Sequence, residues 1–184
     1  MEQIRIHGRG GQGVVTAAEL IAIAAFKEGL WAQAFPSFGV ERTGAPIQSF
    51  VRLNSHPITT HEHIYVPTVL IIQDASLIKV ADVFSGATEN TLVLINANKN
   101  VWPELKKKFT HVYFCPATDI ALKTLGKNIV NTVILGAFAH YSKLVSLNSL
   151  RAAIREKFTD KGAEIINKNI KAIELAFNHH AQKK

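Results

Sequence analysis

Ile6-His7-Gly8-Arg9-Gly10-Gly11-Gln12-Gly13-Val14-Val15-Thr16-Ala17-Ala18 decides the fold: a short apolar strand breaks into a glycine cluster and resumes at once as a helix. Gly8, Gly10 and Gly13 stand at G-x-G-x-x-G spacing. That spacing lets a backbone turn tightly, approach a ligand without an intervening Cβ, and pack the helix onto the strand. The first N–H groups of such a helix have no intrahelical acceptor and lie at the positive end of its dipole, so a phosphate or carboxylate satisfies them. Arg9 adds a mobile positive charge beside the cluster. The plainer reading is that the glycines serve only close strand-to-helix packing, and both readings stay open at this level.

A Rossmann dinucleotide site also needs an Asp or Glu about 20 residues further on, at the end of the second strand, to hold the ribose. Here the second strand, Leu30 to Phe35, runs into Pro36-Ser37-Phe38-Gly39 with no carboxylate. A stand-alone Rossmann-type nucleotide-binding oxidoreductase is therefore the alternative and not the leading reading. The next segment, Phe35-Pro36-Ser37-Phe38-Gly39-Val40-Glu41-Arg42-Thr43-Gly44-Ala45-Pro46, combines glycines and prolines that set unusual backbone angles with a charged pair. Glu41 and Arg42 either solvate the turn or meet a partner. An arginine fork beside an anion-binding helix start suits phosphate or carboxylate.

Downstream, strands alternate with helices, the mark of a layered α/β domain with a largely parallel sheet. Ile47 to Leu53 reads as a strand, and His56 to Thr59 is expected to return beside it as a hairpin. Val69-Leu70-Ile71-Ile72 and Leu92-Val93-Leu94-Ile95 read as central strands buried on both faces, with His111 to Pro116 as another. Leu77 to Phe84 has helical spacing, and Asp74 before it either meets a ligand at the strand's carboxyl end or caps that helix. The last third reads as helical: 119–125, 129–144, 147–158 and a final helix after Asp160. Val130, Val133, Ile134, Gly136, Ala137 and Ala139 mix large and small groups, so another helix or a partner chain can approach closely, and an interface is expected there. In the final helix Ile166, Ile170, Ile173 and Phe177 line one face, with Lys168 and Lys171 turned to water. The expected architecture is a three-layer α/β/α Rossmann-like domain spanning 1–184, with a mixed, largely parallel sheet, a β-hairpin and a helical C-terminal third.

At 184 residues, 47% hydrophobic and 19% charged, the chain has the composition of one folded domain. Its net charge of +7 is spread along the sequence, with local clusters at Lys106-Lys107-Lys108 and Lys183-Lys184, and no nucleic-acid module is visible. The excess charge suits steering of an anionic coenzyme or an acidic electron carrier. A lone Cys115 in an apolar stretch argues for a buried, inert thiol and a reducing cytoplasm. Val14 to Phe26 is too short to cross a membrane and contains Glu19. His56, His61 and His63 lie close together with Glu62, but a closed zinc site wants four ligands and no cysteine is near, so solvent-facing side chains are the expectation. His7 is read as packing against or orienting the glycine loop, with proton transfer lacking a visible partner.

Three blocks together carry a family resemblance: G-R-G-G-Q-G-V-V-T-A-A at 8–18, F-P-S-F-G-V-E-R-T-G-A-P at 35–46 and N-I-V-N-T-V-I-L-G-A-F-A at 128–139. In this order and spacing the chain resembles the gamma subunit of the pyruvate and 2-ketoisovalerate ferredoxin oxidoreductases. Thr43 stands where many members of the pyruvate branch have a second arginine, and Pro67-Thr68 where a Pro-Asp pair is common. The resemblance implies a complex that oxidatively decarboxylates a 2-oxoacid, foremost pyruvate, to its acyl-CoA and reduces ferredoxin. It implies alpha, beta and delta-type partner subunits holding thiamine diphosphate, Mg and [4Fe-4S] clusters, because one cysteine cannot ligate a cluster here. No catalytic or metal-ligating residue is assigned to this chain, and neither nucleic acid nor membrane is an expected partner. Its implied part is assembly and coenzyme A binding, through Gly8, Arg9, Gly10, Gly11, Gln12 and Gly13, with Arg42.

Overall fold

Six strands form one mixed sheet in the order β2-β3-β1-β4-β5-β6. The computed structural model describes residues 1–37, 43–98 and 101–181, with side chains through His179. The elements run β1 (Glu2–Arg9), α1 (Val14–Lys27), β2 (Trp31–Pro36), β3 (Pro46–Asn54), β4 (Val69–Ile72), a 3₁₀ turn (Ala75–Lys79), β5 (Leu92–Asn96), α2 (Leu105–Lys108), β6 (His111–Cys115), α3 (Ala117–Leu125), α4 (Val130–Ser142), α5 (Leu147–Lys157), a short 3₁₀ turn at Thr159–Lys161, and α6 (Ala163–Ala181). β1, β4, β5 and β6 are mutually parallel, whereas β3 runs antiparallel between β1 and β2. Among the described helices none is long and apolar enough to cross a membrane.

The period-two alternation of strand side chains splits the core in two. Ile4, Ile6, Val51, Leu53, Val69, Ile71, Leu94 and Cys115 point to the face covered by α1, α3, α4, α5 and α6. Leu70, Ile72, Val93, Ile95 and Val112 point to the other, where they meet Leu77, Val83, Leu105 and Phe109. The α/β class and helical last third are as expected, but the layers are unequal. Five helices cover one face, while the second is covered by the 3₁₀ turn, α2 and irregular chain.

Three expectations change. Residues 56–59 form no strand; the antiparallel partner of β3 is β2, in register from Trp31 opposite Asn54 to Pro36 opposite Ser49. The 55–68 stretch is instead held by guanidinium groups from the sheet: Arg5 donates to the Ile64 carbonyl at 3.2 Å, and Arg52 donates to that of Glu62. The helix expected over 77–84 is a five-residue 3₁₀ turn capped by Asp74, whose carboxylate accepts from Ser76 N–H. The small residues of α4 serve this chain's own packing, since Val130 through Ala139 are all buried.

Gly136 shows how close that packing is. A Cβ at this position would lie 2.1 Å from the backbone carbonyl oxygen of Ile173 in α6. Backbone cannot yield as a flexible side chain can. Gly136→Ala is therefore expected to cost about 1–3 kcal/mol from overpacking, despite alanine's preference for helix of about 1 kcal/mol. Urea unfolding of the two proteins reads the difference directly.

Candidate functional site: the glycine turn and its anchors

The glycine cluster forms the expected turn. Gly13, at φ 70° and ψ 33°, takes the left-handed conformation that glycine adopts without steric cost and starts α1 without a side-chain cap. A Cβ there would also lie 2.3 Å from Asn131 Nδ2, and one on Gly8 would lie 2.5 Å from Val14 Cγ2. Both glycines thus allow close approach, and Gly13 also makes the turn. The first bond of the helical ladder is Ala17 N–H to the Gly13 carbonyl at 3.0 Å. The N–H groups of Val14, Val15 and Thr16 precede it and form the positive end of the helix.

Arg9 is fixed, not mobile. Its Nε donates to Asp74 Oδ2 at 2.9 Å, while its terminal nitrogens donate to the Gly44 carbonyl at 3.0 Å and Ser76 Oγ at 2.7 Å. Gln12 completes the knot: its Oε1 accepts from Arg9 N–H at 2.8 Å and its Nε2 donates to Asp74 at 3.1 Å. Burial opposes the charge on Asp74, yet the hydrogen bonds from Ser76, Gln12 and Arg9 outweigh it and hold the carboxyl below the ordinary range. Asp74 therefore anchors the turn while also capping the segment after it. The Arg9–Asp74 pair is partly solvated, so a double-mutant cycle with Arg9→Ala and Asp74→Asn, read by urea unfolding, is expected to give a coupling of about 0.5–1 kcal/mol.

His7 supports the turn from beneath and is 3% exposed. Arg5 Nε donates to its Nε2 at 3.0 Å, so the neutral ring carries its proton on Nδ1. Burial, reinforced by the Arg5 charge, pushes its pKa from 6.5 to about 3. Such a ring orients the strand end and stays neutral near pH 7. Between these two values the unfolded chain binds a proton that the folded one refuses. Stability from His7 is complete above pH 6.5 and declines as pH falls toward 3, by at most about 1.4 kcal/mol per pH unit. His7→Gln, which keeps an acceptor for Arg5, is expected to show a shallower loss between pH 7 and pH 4 in urea unfolding.

All three segments singled out in the sequence meet at this turn. Gly10 N–H donates to the Ala45 carbonyl at 2.9 Å, and Gly44 N–H to the Gly10 carbonyl at 3.1 Å, which fastens the end of the 35–46 segment to the glycines. Asn131, from the third segment, packs on Gly13. Gly11 faces Thr43. Arg42 lies outside the described residues, as do Glu41 and Gly39.

Two cavities flank the start of α4. One, of about 240 Å³, is polar and is lined by Gln12, Gln73, Asp74, Asn96, Thr118 and Asn128, among others. The other, of about 470 Å³, has Leu125, Ile129, Phe158 and Ile165 as apolar walls and Lys127, Lys161 and Lys168 among its polar groups. Sequence reasoning missed Gln73, Asn96, Thr118 and the role of these lysines at a cavity. The only available signal was that 73 and 96 follow or end apolar strands, where open α/β sheets place their ligands. Elsewhere, His61 Nδ1 is bonded to Gln33 Nε2 at 3.0 Å and His63 stacks on Phe50. Among the described residues no group of three or more His, Cys, Asp or Glu is placed to hold a metal.

The class these observations define is an α/β domain whose β1 runs through a glycine turn into α1. The chain belongs to the pyruvate ferredoxin/flavodoxin oxidoreductase family, whose sequence pattern matches residues 3–179. Within that family it is a gamma-type member. It is 48% identical over 181 residues to the common gamma subunit of the pyruvate/ketoisovalerate oxidoreductases of Thermococcus kodakarensis, covering 97% of this chain and 96% of that one. The crystal structure of pyruvate oxidoreductase subunit PORC from Thermotoga maritima matches with a TM-score of 0.81 at 31% identity, over 96% of this chain and 95% of that one. A 2-oxoglutarate:ferredoxin oxidoreductase from Magnetococcus marinus, solved with 2-oxoglutarate, coenzyme A and succinyl-CoA bound, shares the fold over 100% of this chain and 31% of that one, with a TM-score of 0.78 at 21% identity.

Proposed function

We propose that this chain is the gamma subunit of a cytoplasmic complex that oxidatively decarboxylates pyruvate to acetyl-CoA and reduces ferredoxin, and that its own contribution is to bind coenzyme A. The observation that carries this reading is the start of α1, where a left-handed Gly13 supplies no side-chain cap and the helical ladder begins only at Ala17, leaving the Val14, Val15 and Thr16 N–H groups without an intrahelical acceptor. Pyrophosphate oxygens are well matched to such a terminus. Lys127, Lys161 and Lys168 beside apolar walls add positive charge near a surface suited to a planar ring. Coenzyme A supplies the thiol that accepts the acyl group; the residues of this chain bind and orient it.

The electron-transfer and decarboxylation chemistry belongs to partner subunits of alpha, beta and delta type, which hold thiamine diphosphate with Mg and the [4Fe-4S] clusters. Cys115, the sole cysteine, does not fit a cluster: it is buried, and burial pushes its thiol up to about 12. Arg9 acts through the turn that it braces, with Arg42 as a second cation from the neighbouring segment.

In calorimetry on the assembled complex, Arg9→Ala is expected to weaken coenzyme A about fivefold, the effect of loosening the turn by one partly solvated ion pair. Unchanged affinity would remove Arg9 from the site. Pyruvate oxidation is expected only when the partner chains are present, and sustained turnover by the purified chain alone would contradict the assignment.

A further inference from the structure

Gln73 is 1% exposed, and neither Nε2 nor Oε1 of its side chain has a hydrogen-bond partner. Leaving such an amide unpaired in the interior is costly, so each unpaired group in a native fold calls for a partner. The backbone of Gln73 is fully used: its N–H donates to the His7 carbonyl at 2.8 Å and its carbonyl accepts from Asn96 Nδ2 at 2.9 Å. Its carboxamide lies against the glycine turn, with Oε1 3.3 Å from where a Gly8 Cβ would be. The same residue lines the polar cavity beside Gln12, Asn96, Thr118 and Asn128.

The charge of that cavity selects what can enter. Among its described lining residues Asp74 alone is charged, and its carboxylate already accepts from Arg9, Gln12 and Ser76. A phosphate dianion placed there would meet a carboxylate with no lysine or arginine among the lining side chains. A neutral group carrying both a donor and an acceptor would meet carboxamides, a threonine hydroxyl and the start of α4, which has no side-chain cap. A secondary amide is such a group, and it offers one partner to each atom of Gln73.

We infer that the polar cavity at the carboxyl ends of β4 and β5 holds a neutral, amide-bearing segment of the ligand, and that Gln73 is the residue that reads it. This rests on coenzyme A binding at the glycine turn, and it assigns the amide-containing pantetheine arm to the cavity and the phosphates to the turn. Gln73 is then a specificity-determining residue: it separates the whole coenzyme from a bare nucleotide.

The test is calorimetry on the assembled complex with two probes, coenzyme A and adenosine 3′,5′-bisphosphate, together with thermal unfolding of the full chain. Gln73→Leu is expected to weaken coenzyme A about tenfold, to leave the bisphosphate unchanged, and to leave the melting temperature equal or raised, because an apolar side chain needs no partner. Equal weakening of both probes would put Gln73 at the nucleotide and overturn the inference. Unchanged coenzyme A affinity with a lowered melting temperature would mean that the amide serves an internal water network, and would also overturn it. If the unsubstituted complex binds the bisphosphate but gains nothing from the rest of coenzyme A, the arm does not reach the cavity. If it binds neither probe, the coenzyme reading itself falls.

Discussion

The carboxylate of Asp74 holds the glycine turn to the sheet. From the end of β4 it accepts from Arg9 and Gln12 in the turn and from Ser76 in its own segment, so one side chain fixes two loops. Without that anchor the turn would lose the side-chain bonds of Arg9 and Gln12 to the segment after β4 and keep its backbone bonds to residues 44 and 45. The close contacts of Gly8 with Val14 and of Gly13 with Asn131 then fix how α1 sits on β1 and beside α4. The proposed anion binding depends on this rigidity, because N–H groups attract an oxyanion at useful strength only when they already point at it.

The topology explains why the site lies here. β1 and β4 are adjacent parallel strands, with β3 and β2 to one side and β5 and β6 to the other. After β1 the chain turns one way, and after β4 it turns the other. In open α/β sheets that reversal leaves a crevice beyond the strand ends, where ligands bind. The glycine turn, Gln73 and Asp74 all belong to that crevice, and the start of α4 closes it from the helix face.

The parts legible in the sequence were those with a local cause. Val69–Ile72 reads as a strand because four successive apolar residues can only be covered on both faces, and β4 spans those residues. The glycine turn is legible because G-x-G-x-x-G between an apolar strand and an apolar helix has few other uses. α6 is legible from its apolar repeat. The misread parts depend on distant partners. Arg9 looks free in the sequence because Asp74, 65 residues away, is what fixes it. The 56–59 stretch resembles a returning strand, but β2 already occupies the antiparallel edge of β3, and Arg5 and Arg52 hold the chain just beyond it at the Ile64 and Glu62 carbonyls. Gln73 carries only the weak signal of following a buried strand, and a glutamine there is ordinary until its burial and unpaired amide are seen.

The central claim is that ligand oxygens meet the amides at the start of α1. Hydrogen–deuterium exchange on the assembled complex, with and without coenzyme A, tests it most directly, because those amides lie outside the helical ladder and exchange readily when uncovered. The account predicts slowed exchange at Val14, Val15 and Thr16 when coenzyme A is added. Exchange there that stays the same while coenzyme A is bound would contradict it.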